Sequence, residues 1–582
     1  MKIVRRDIKQ SLLSLAAFAL PVVFFFIIIW AFPRPYYMFF TDGEQTMYYG
    51  SKLFYYGFIP CDLRHPGMIS YYVGALIMTM VGPDIHRTQL FLNLGYLFVA
   101  LAMGIMMVYY SRRFLSRVPF GIGLLSLIVL FCYPPVLTWS DMISAESLIF
   151  LLAFLVLILF WPALESENPR QITLHYGLTG IALGVSLANH AVALILFSIV
   201  CLVGFIRVIP VRSPLWSRLL IFLLLPASAV FTYFVFSLPV HYFIYSIWAS
   251  AFGQDAVHLS FERLLTGLQA LTSGTSMLPE TVTQLIVILI FLAILGVLIV
   301  RETRAKRRTG ITSWMCQALL ILSLFLAFLY TLSTSLPYGY AGVTVRYTLP
   351  FVGLFSFALV FIFERLGKEN RIYRVVDISA IGISLLILLS SMIGFLQLRS
   401  NLIARVSEQV KASRDQFNSY NSAGGRIAFW DGSPGYLFGE ASFHFWGNYA
   451  YGGDTFDNEV LAAFPEYAFF KLRQVRYLGN HLPPYSQADY SEPLPIWSRL
   501  KRLVFPLACI QRNGEIVTGE QQGVPISLVV FPVRQDYEFQ GLPLSSLENL
   551  LVNRLGGGTL QEVSIDGVQW HIFSIKNPDQ VP

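Results

Sequence analysis

Charge is scarce in this chain. Asp, Glu, Lys and Arg make up 13% of its 582 residues, against roughly 25% in a typical soluble domain, while apolar residues reach 55%. A soluble globular protein does not fit that balance, and the chain reads as a polytopic membrane protein. Cysteine is scarce too, with 5 in all. Cys132, Cys201 and Cys316 fall in apolar stretches; Cys61 and Cys509 lie outside them, where a disulfide could join the two in an oxidising compartment. No internal repeat or low-complexity tract is present. The net charge of +7 is accounted for by membrane orientation and implies no nucleic-acid partner.

Residues 11–32 are apolar and long enough to cross a bilayer, and Lys2, Arg5, Arg6 and Lys9 precede them. No small-residue cleavage site follows Trp30, so an uncleaved first helix is expected. Further apolar stretches at 88–110, 119–138, 142–163, 173–188, 190–208, 219–238, 282–300, 312–335, 345–363 and 376–397 bring the expected total to about eleven. Positive charge collects in alternate connections. Arg112, Arg113 and Arg117 occupy one, Arg207, Arg212 and Arg218 the next, Arg301 to Arg308 a third, and Arg365, Lys368, Arg371 and Arg374 the last. Only the connection at 164–172 is weak, with Arg170 alone. This predicts an integral plasma (inner) membrane protein with its N-terminus cytoplasmic. The loop 33–87, the turn at Asn189-His190 and everything after about 398 then lie outside. Residues 67–82 are apolar but too short to span without inverting every later loop; they are expected as an interfacial or re-entrant helix, with the surrounding Tyr pairs anchoring at that depth.

After Arg399 the composition changes. Residues 399–582 read as an extracytoplasmic α/β domain, set apart from a transmembrane domain at 1–398. Strands are predicted at 425–430, 526–532, 558–564 and 568–575, with helices near 458–472 and at 543–554. An aromatic and acidic cluster from Phe429 to Asp454, including His444, suits either stacking on sugar rings or the core of a small domain.

The expected topology gathers polar residues at the outer surface: Asp42, Glu44, Asp62, Arg64 and His65 in the first loop, Asp141 and Glu146 at the start of the fourth span, His190 after the fifth, and Arg346 with Tyr347 at the tenth. Ionisable groups at membrane depth commonly line a pathway or a reaction centre. Each also has a plainer reading: Asp42 as a helix cap, Glu146 as a charge on a helix dipole, Arg346 as a snorkelling anchor, His190 as a turn residue.

The order of these pieces resembles a family. Asp42 in the loop after the first span, Gly57 fifteen residues on, His65-Pro66, the short helix ending at Gly82 and the span ending in Ser111-Arg112-Arg113 are similar to the C-type membrane glycosyltransferases (GT-C fold). The nearest branch is the protein O-mannosyltransferase and lipid A aminoarabinose transferase group. Gly180 to His190 is similar to its Gly-rich fifth helix, and Arg346-Tyr347-Thr348-Leu349-Pro350 to its Arg-Tyr-x-x-Pro segment. There are departures. Gly43 stands where the family has a second acid next to the first, His190 where it has Lys, and Gly67 where it has a second Pro.

The resemblance implies transfer of a sugar from a polyprenyl-phosphate donor, its lipid lying among membrane lipids, to a lipid, glycan or protein acceptor. Asp42, with Glu44, would supply the base. Arg346, His190, His65 and Arg64 would hold the donor phosphate, and Tyr347, Asp141 and Glu146 would line the substrate site. A divalent metal at Asp42 and Glu44 is a weaker implication, since two carboxylates two apart are a thin ligand set. Two other classes stay open: a transporter or flippase of lipid-linked glycans, and a non-catalytic glycan-binding or assembly protein.

Overall fold

A computed structural model of the chain describes residues 2–33, 42–56, 67–133, 136–137, 144–190, 192–211, 213–236, 296, 313–334, 345–365, 371–421, 424–430, 444, 456–471, 515–517, 525–532, 549, 551–553, 555–565 and 568–576. The helices are α1 (Lys2–Ala31), α2 (Asp42–Tyr55), α3 (Met68–Val81), α4 (Thr88–Arg113), α5 (Phe120–Phe131), α6 (Ala145–Glu165), α7 (Pro169–Asn189), α8 (Ala193–Val208), α9 (Leu215–Phe236), α10 (Ser313–Thr334), α11 (Gly353–Arg365), α12 (Arg371–Tyr420) and the short α13 (Asp457–Ala463). A 3-10 turn, Val345–Phe351, precedes α11. Each stretch expected to span contains a helix, except 282–300, which apart from residue 296 lies outside the described residues. Among the described residues, 7 helices are long and apolar enough to cross a membrane; α3, α5 and α8 are apolar but shorter.

The chain forms two compact units. One comprises Met1–Pro33, Arg64–Ser70 and Asn93–Arg399; the other comprises Arg34–Leu63, Tyr71–Leu92 and Ser400–Pro582. The divisions fall inside α3, α4 and α12.

In the first unit the polar contacts sort to two ends of the helices. At one end the Lys9 ammonium donates to the Val118 carbonyl, Arg117 pairs with Glu165 and Glu364, and the buried Arg207 donates to the carbonyls of Leu164 and Ser166. There too the Asp377 carboxylate accepts from the backbone N–H groups of Gly121 and Ile122, capping α5 from another helix. At the other end the Arg399 guanidinium donates to the Phe32 carbonyl, Ser70 and Asn189 hydrogen-bond, and Tyr133 meets Thr348. Lys9 to Phe32 and Asp377 to Arg399 are each about 33–35 Å at 1.5 Å per helical residue, the thickness of a bilayer's hydrocarbon with its margins. The alternation read from the basic loops therefore agrees with which loops meet.

Between the ends the packing is apolar, and closest where α7 crosses α9. A Cβ added to Gly180 would lie 2.5 Å from the Leu225 carbonyl oxygen, and one on Gly184 2.4 Å from that of Ala229. Two glycines four residues apart remove the side chains that would hold the backbones apart, and dispersion does the rest. Tyr110, fully buried in α4, packs edge-on to Phe154 and hydrogen-bonds Ser356, joining α4, α6 and α11.

The second unit holds a six-stranded sheet: β1 (Arg426–Trp430), β2 (Tyr467–Lys471), β3 (Glu515–Val517), β4 (Ile526–Pro532), β5 (Gly558–Ile565) and β6 (Val568–Ile575), in the order β3-β2-β1-β4-β6-β5. β1 is parallel to β2 and β4; the other pairs are antiparallel. Phe573 joins Leu551 and Leu555 in the core on one face. Trp570, three residues earlier and so on the opposite face, packs edge-on against Phe417 of α12 at 5.2 Å. One expectation is corrected here. The helix read over 458–472 ends at Ala463, and Tyr467–Lys471 is a strand. Pro465 cannot continue a helix, and Tyr-Ala-Phe-Phe gains more by pairing with β1 than by another helical turn.

The α7–α9 crossing is open to test. Gly184→Ala is expected to lower the unfolding temperature of the purified protein by the equivalent of about 1–3 kcal/mol, as overpacked sites do. Gly177→Ala on the same helix, whose added Cβ would sit 3.6 Å from a Leu224 methyl, should leave it within a degree or two.

Candidate functional site

The polar end of the first unit that carries Asn189 is built by caps. Ser144 and Ser147 exchange backbone-to-side-chain hydrogen bonds of 3.2 and 3.0 Å at the start of α6, fixing the first turn that contains Glu146. α7 ends in the fully buried Asn189, whose amide donates to the Ala145 carbonyl at 2.7 Å and accepts from the Ser70 hydroxyl at 2.9 Å. One amide thus ties together the beginning of α6, the end of α7 and the beginning of α3. His190 follows in extended backbone, and its N–H closes the helix on Ser186.

Val192 N–H donates to His190 Nδ1 at 3.2 Å, so the neutral ring carries its proton on Nε2. The ring lies 5.8 Å from that of Tyr347, tilted 59°. Two residues that are 157 apart in the chain are therefore neighbours, and Arg346 precedes Tyr347 in the same 3-10 turn. Thr348, also in that turn, is fully buried and shares a 3.1 Å hydrogen bond with Tyr133.

Of the residues singled out from sequence, His190 and Tyr347 are brought together. Glu146 and Arg346 are placed by backbone on the elements that meet there, their side chains lying outside the description. Asp141, Arg64, His65 and Asp62 also lie outside the described residues, as do Cys61 and Cys509. Asp42 and Glu44 occupy the first turn of α2, in the second unit, with only their backbone described. Among the described residues no three His, Cys, Asp or Glu side chains cluster as a metal site would require.

Sequence reasoning missed Lys52. It is fully buried in α2, its ammonium 2.6 Å from Glu459 Oε1 of α13 and 4.5 Å from the centre of the Phe456 ring. Burial pushes this ammonium below its ordinary pKa, while Glu459 opposes the shift. Beside it, Tyr49 hydroxyl lies 2.8 Å from Nδ1 of the fully buried His444. The signal was there: a lone cation three and four residues after two tyrosines, on their helix face. His444, read as a sugar-stacking or a core residue, is core; the rest of its cluster has no described side chain.

Fold and site together define an integral, polytopic helical membrane protein with a mixed α/β domain. No protein-family model matches the sequence, and no curated protein matches it. Among solved structures the chain is similar to the crystal structure of ArnT from Cupriavidus metallidurans in the apo state, with 11% identity, a TM-score of 0.47 and coverage of 99% of this chain and 98% of that one. It is also similar to the structure of that ArnT bound to undecaprenyl phosphate, with 12% identity, a TM-score of 0.40 and coverage of 98% and 97%. Similarity of this degree transfers no residue roles.

His444 makes the second unit sensitive to acid. Burial first, then the charges of Lys52 and His86, hold its ring well below its usual pKa of 6.5. A base with a depressed folded pKa binds fewer protons folded than unfolded. Stability is therefore complete above about pH 6.5 and falls as the pH drops below it, by up to about 1.4 kcal/mol per pH unit. Unfolding midpoints between pH 7.5 and 5 should show that decline, and His444→Gln should flatten it.

Proposed function

We propose that the protein is a membrane glycosyltransferase that moves a sugar from a polyprenyl-phosphate donor to a hydroxyl of a lipid, glycan or protein acceptor at the outer face of the membrane. The observation that carries this reading is the meeting of His190 with Tyr347, next to Arg346, where the buried Asn189 locks the ends of α6 and α7. A polar cluster at the rim of apolar helices suits a substrate whose tail is lipid and whose reacting head is charged.

In the proposed reaction the Asp42 carboxylate takes the acceptor hydroxyl's proton as that oxygen attacks the anomeric carbon, opposite the phosphate. A new carbon–oxygen bond forms while the bond from the anomeric carbon to the phosphate oxygen breaks. Its electron pair leaves with the polyprenyl phosphate. Arg346, with its planar fork, and His190 meet that charge, and Arg64 and His65 are further cations for it. Glu44 assists the base, and Tyr347, Asp141 and Glu146 bind sugar. The alternating basic loops support an orientation with the N-terminus in the cytoplasm and the C-terminal domain outside.

Asp42→Asn should keep the protein folded and inserted while lowering transfer from a polyprenyl-linked donor at least about 100-fold; Glu44→Gln should cost less. Arg346→Ala should cost about 100-fold, and Arg346→Lys should fall between it and the native enzyme, because a point charge lacks the paired geometry. Equal rates for Arg and Lys would make Arg346 an anchor. Normal transfer by Asp42→Asn would remove Asp42 from the chemistry.

The orientation has its own check in intact cells. In a chain whose own 5 cysteines are replaced by serine, a cysteine at Ser433 should react with a membrane-impermeant thiol reagent and one at Thr309 should not.

A further inference from the structure

Helix α2 carries Asp42 and Glu44 in its first turn; it packs on α3 through Phe54 and Tyr71 and on the start of α4 through Tyr48 and Phe91, and it is also held by the far end of the chain. Among the described residues, three of the C-terminal region make the contacts that follow. His444 accepts from or donates to the Tyr49 hydroxyl at 2.8 Å, Glu459 accepts from Lys52 at 2.6 Å, and the Phe456 ring lies 6.1 Å from that of Tyr49 and 5.8 Å from that of Tyr56. Tyr49, Lys52 and Tyr56 follow the spacing i, i+3, i+7, a single stripe of the helix. Asp42 stands seven residues, about two turns, before the first of them.

Lys52 is the informative member. Its side chain is fully buried, whereas the Glu459 side chain is 40% exposed. Burying an ammonium is costly unless its charge is matched, and an apolar pair of the same size commonly stabilises at least as well. Unlike an apolar contact, which tolerates sliding, a lone buried cation facing one carboxylate has a single arrangement that satisfies it. It therefore fixes both the rotation of α2 about its axis and its position along it.

We propose that Lys52 and Glu459 are positioning residues, which set the rotation and height of α2 and so hold its acidic first turn in place for the transfer reaction. This rests on the reading of Asp42 as the base. It gives the C-terminal domain a task of its own: to orient a reacting element encoded four hundred residues earlier.

The test uses the full chain in lipid nanodiscs, with two measurements on the same samples. Glu459→Asp shortens the link by one methylene and keeps the charge; Glu459→Gln removes the charge and keeps the shape. Amide hydrogen exchange over residues 42–50 should quicken at least tenfold in Glu459→Gln and less in Glu459→Asp, with exchange over α7 unchanged. Transfer assayed with a polyprenyl-phosphate sugar should show kcat lowered at least tenfold in Glu459→Gln and severalfold in Glu459→Asp, with donor KM within twofold of the native value. A purely stabilising pair would leave kcat intact in Glu459→Asp below its unfolding temperature, and that result would overturn the proposal. So would native exchange over 42–50 in both variants. If Glu459→Gln does not fold, Glu459→Asp alone decides. Should the native protein transfer no sugar while exchange over 42–50 still quickens, the setting of α2 stands and the proposed reaction falls.

Discussion

A slab of hydrocarbon about 30 Å thick, with no water in it to satisfy a polar group, governs how this chain is arranged. In the first unit nearly every charged contact lies at one of two levels, the Arg117–Glu165–Glu364 level or the Asn189–Arg399 level. Helices are fastened to one another at their ends by ions and amides, and along their length mainly by shape: the glycines of α7 against α9, and the edge-on and tilted aromatics of α4, α6 and α11, with the Tyr110–Ser356 hydrogen bond among them. A polar constellation such as His190, Tyr347 and Asn189 has nowhere else to form.

The same economy of charge makes Lys52 stand out. The arginines at the opposite level are half-exposed or satisfied by several acceptors, whereas Lys52 is sealed in with one carboxylate and an aromatic face. Its surroundings, Tyr48, Tyr49, His444 and Phe456, are all buried. This small second core belongs neither to the membrane helices nor to the sheet, and it exists because α2 and the C-terminal region fold as one unit. Contacts group residues 34–63 and 71–92 with the residues after Arg399.

Much of the fold was legible because it follows from periodicity and length. The spans announce themselves as long apolar runs, and β4, β5 and β6 as short β-branched ones with Gly556-Gly557 before the hairpin, both glycines at positive φ. β2 was illegible because its aromatic residues follow a helix after only three residues, Phe464-Pro465-Glu466, too short a gap to stand out as a connection. The site was half legible. His190 and Tyr347 stood out as polar residues at span ends, which a topology argument can reach. Lys52 did not: its place on the face of Tyr48 and Tyr49 is a local sign, but its burial comes from residues 392 and 407 positions away, which local patterning does not reach. Asn189 was overlooked for a different reason: a neutral amide beside a histidine draws no attention until its two hydrogen bonds are seen.

That sequence separation also has a meaning in time. Chains emerge from a ribosome at about 5–20 residues per second, so Glu459, which lies 407 residues beyond Lys52, follows it by about 20–80 seconds. Through that interval the Lys52 ammonium is without the carboxylate that matches it in the folded protein. The pair closes only after residue 459 has been made, so a chain truncated before Glu459 would carry Lys52 without this partner.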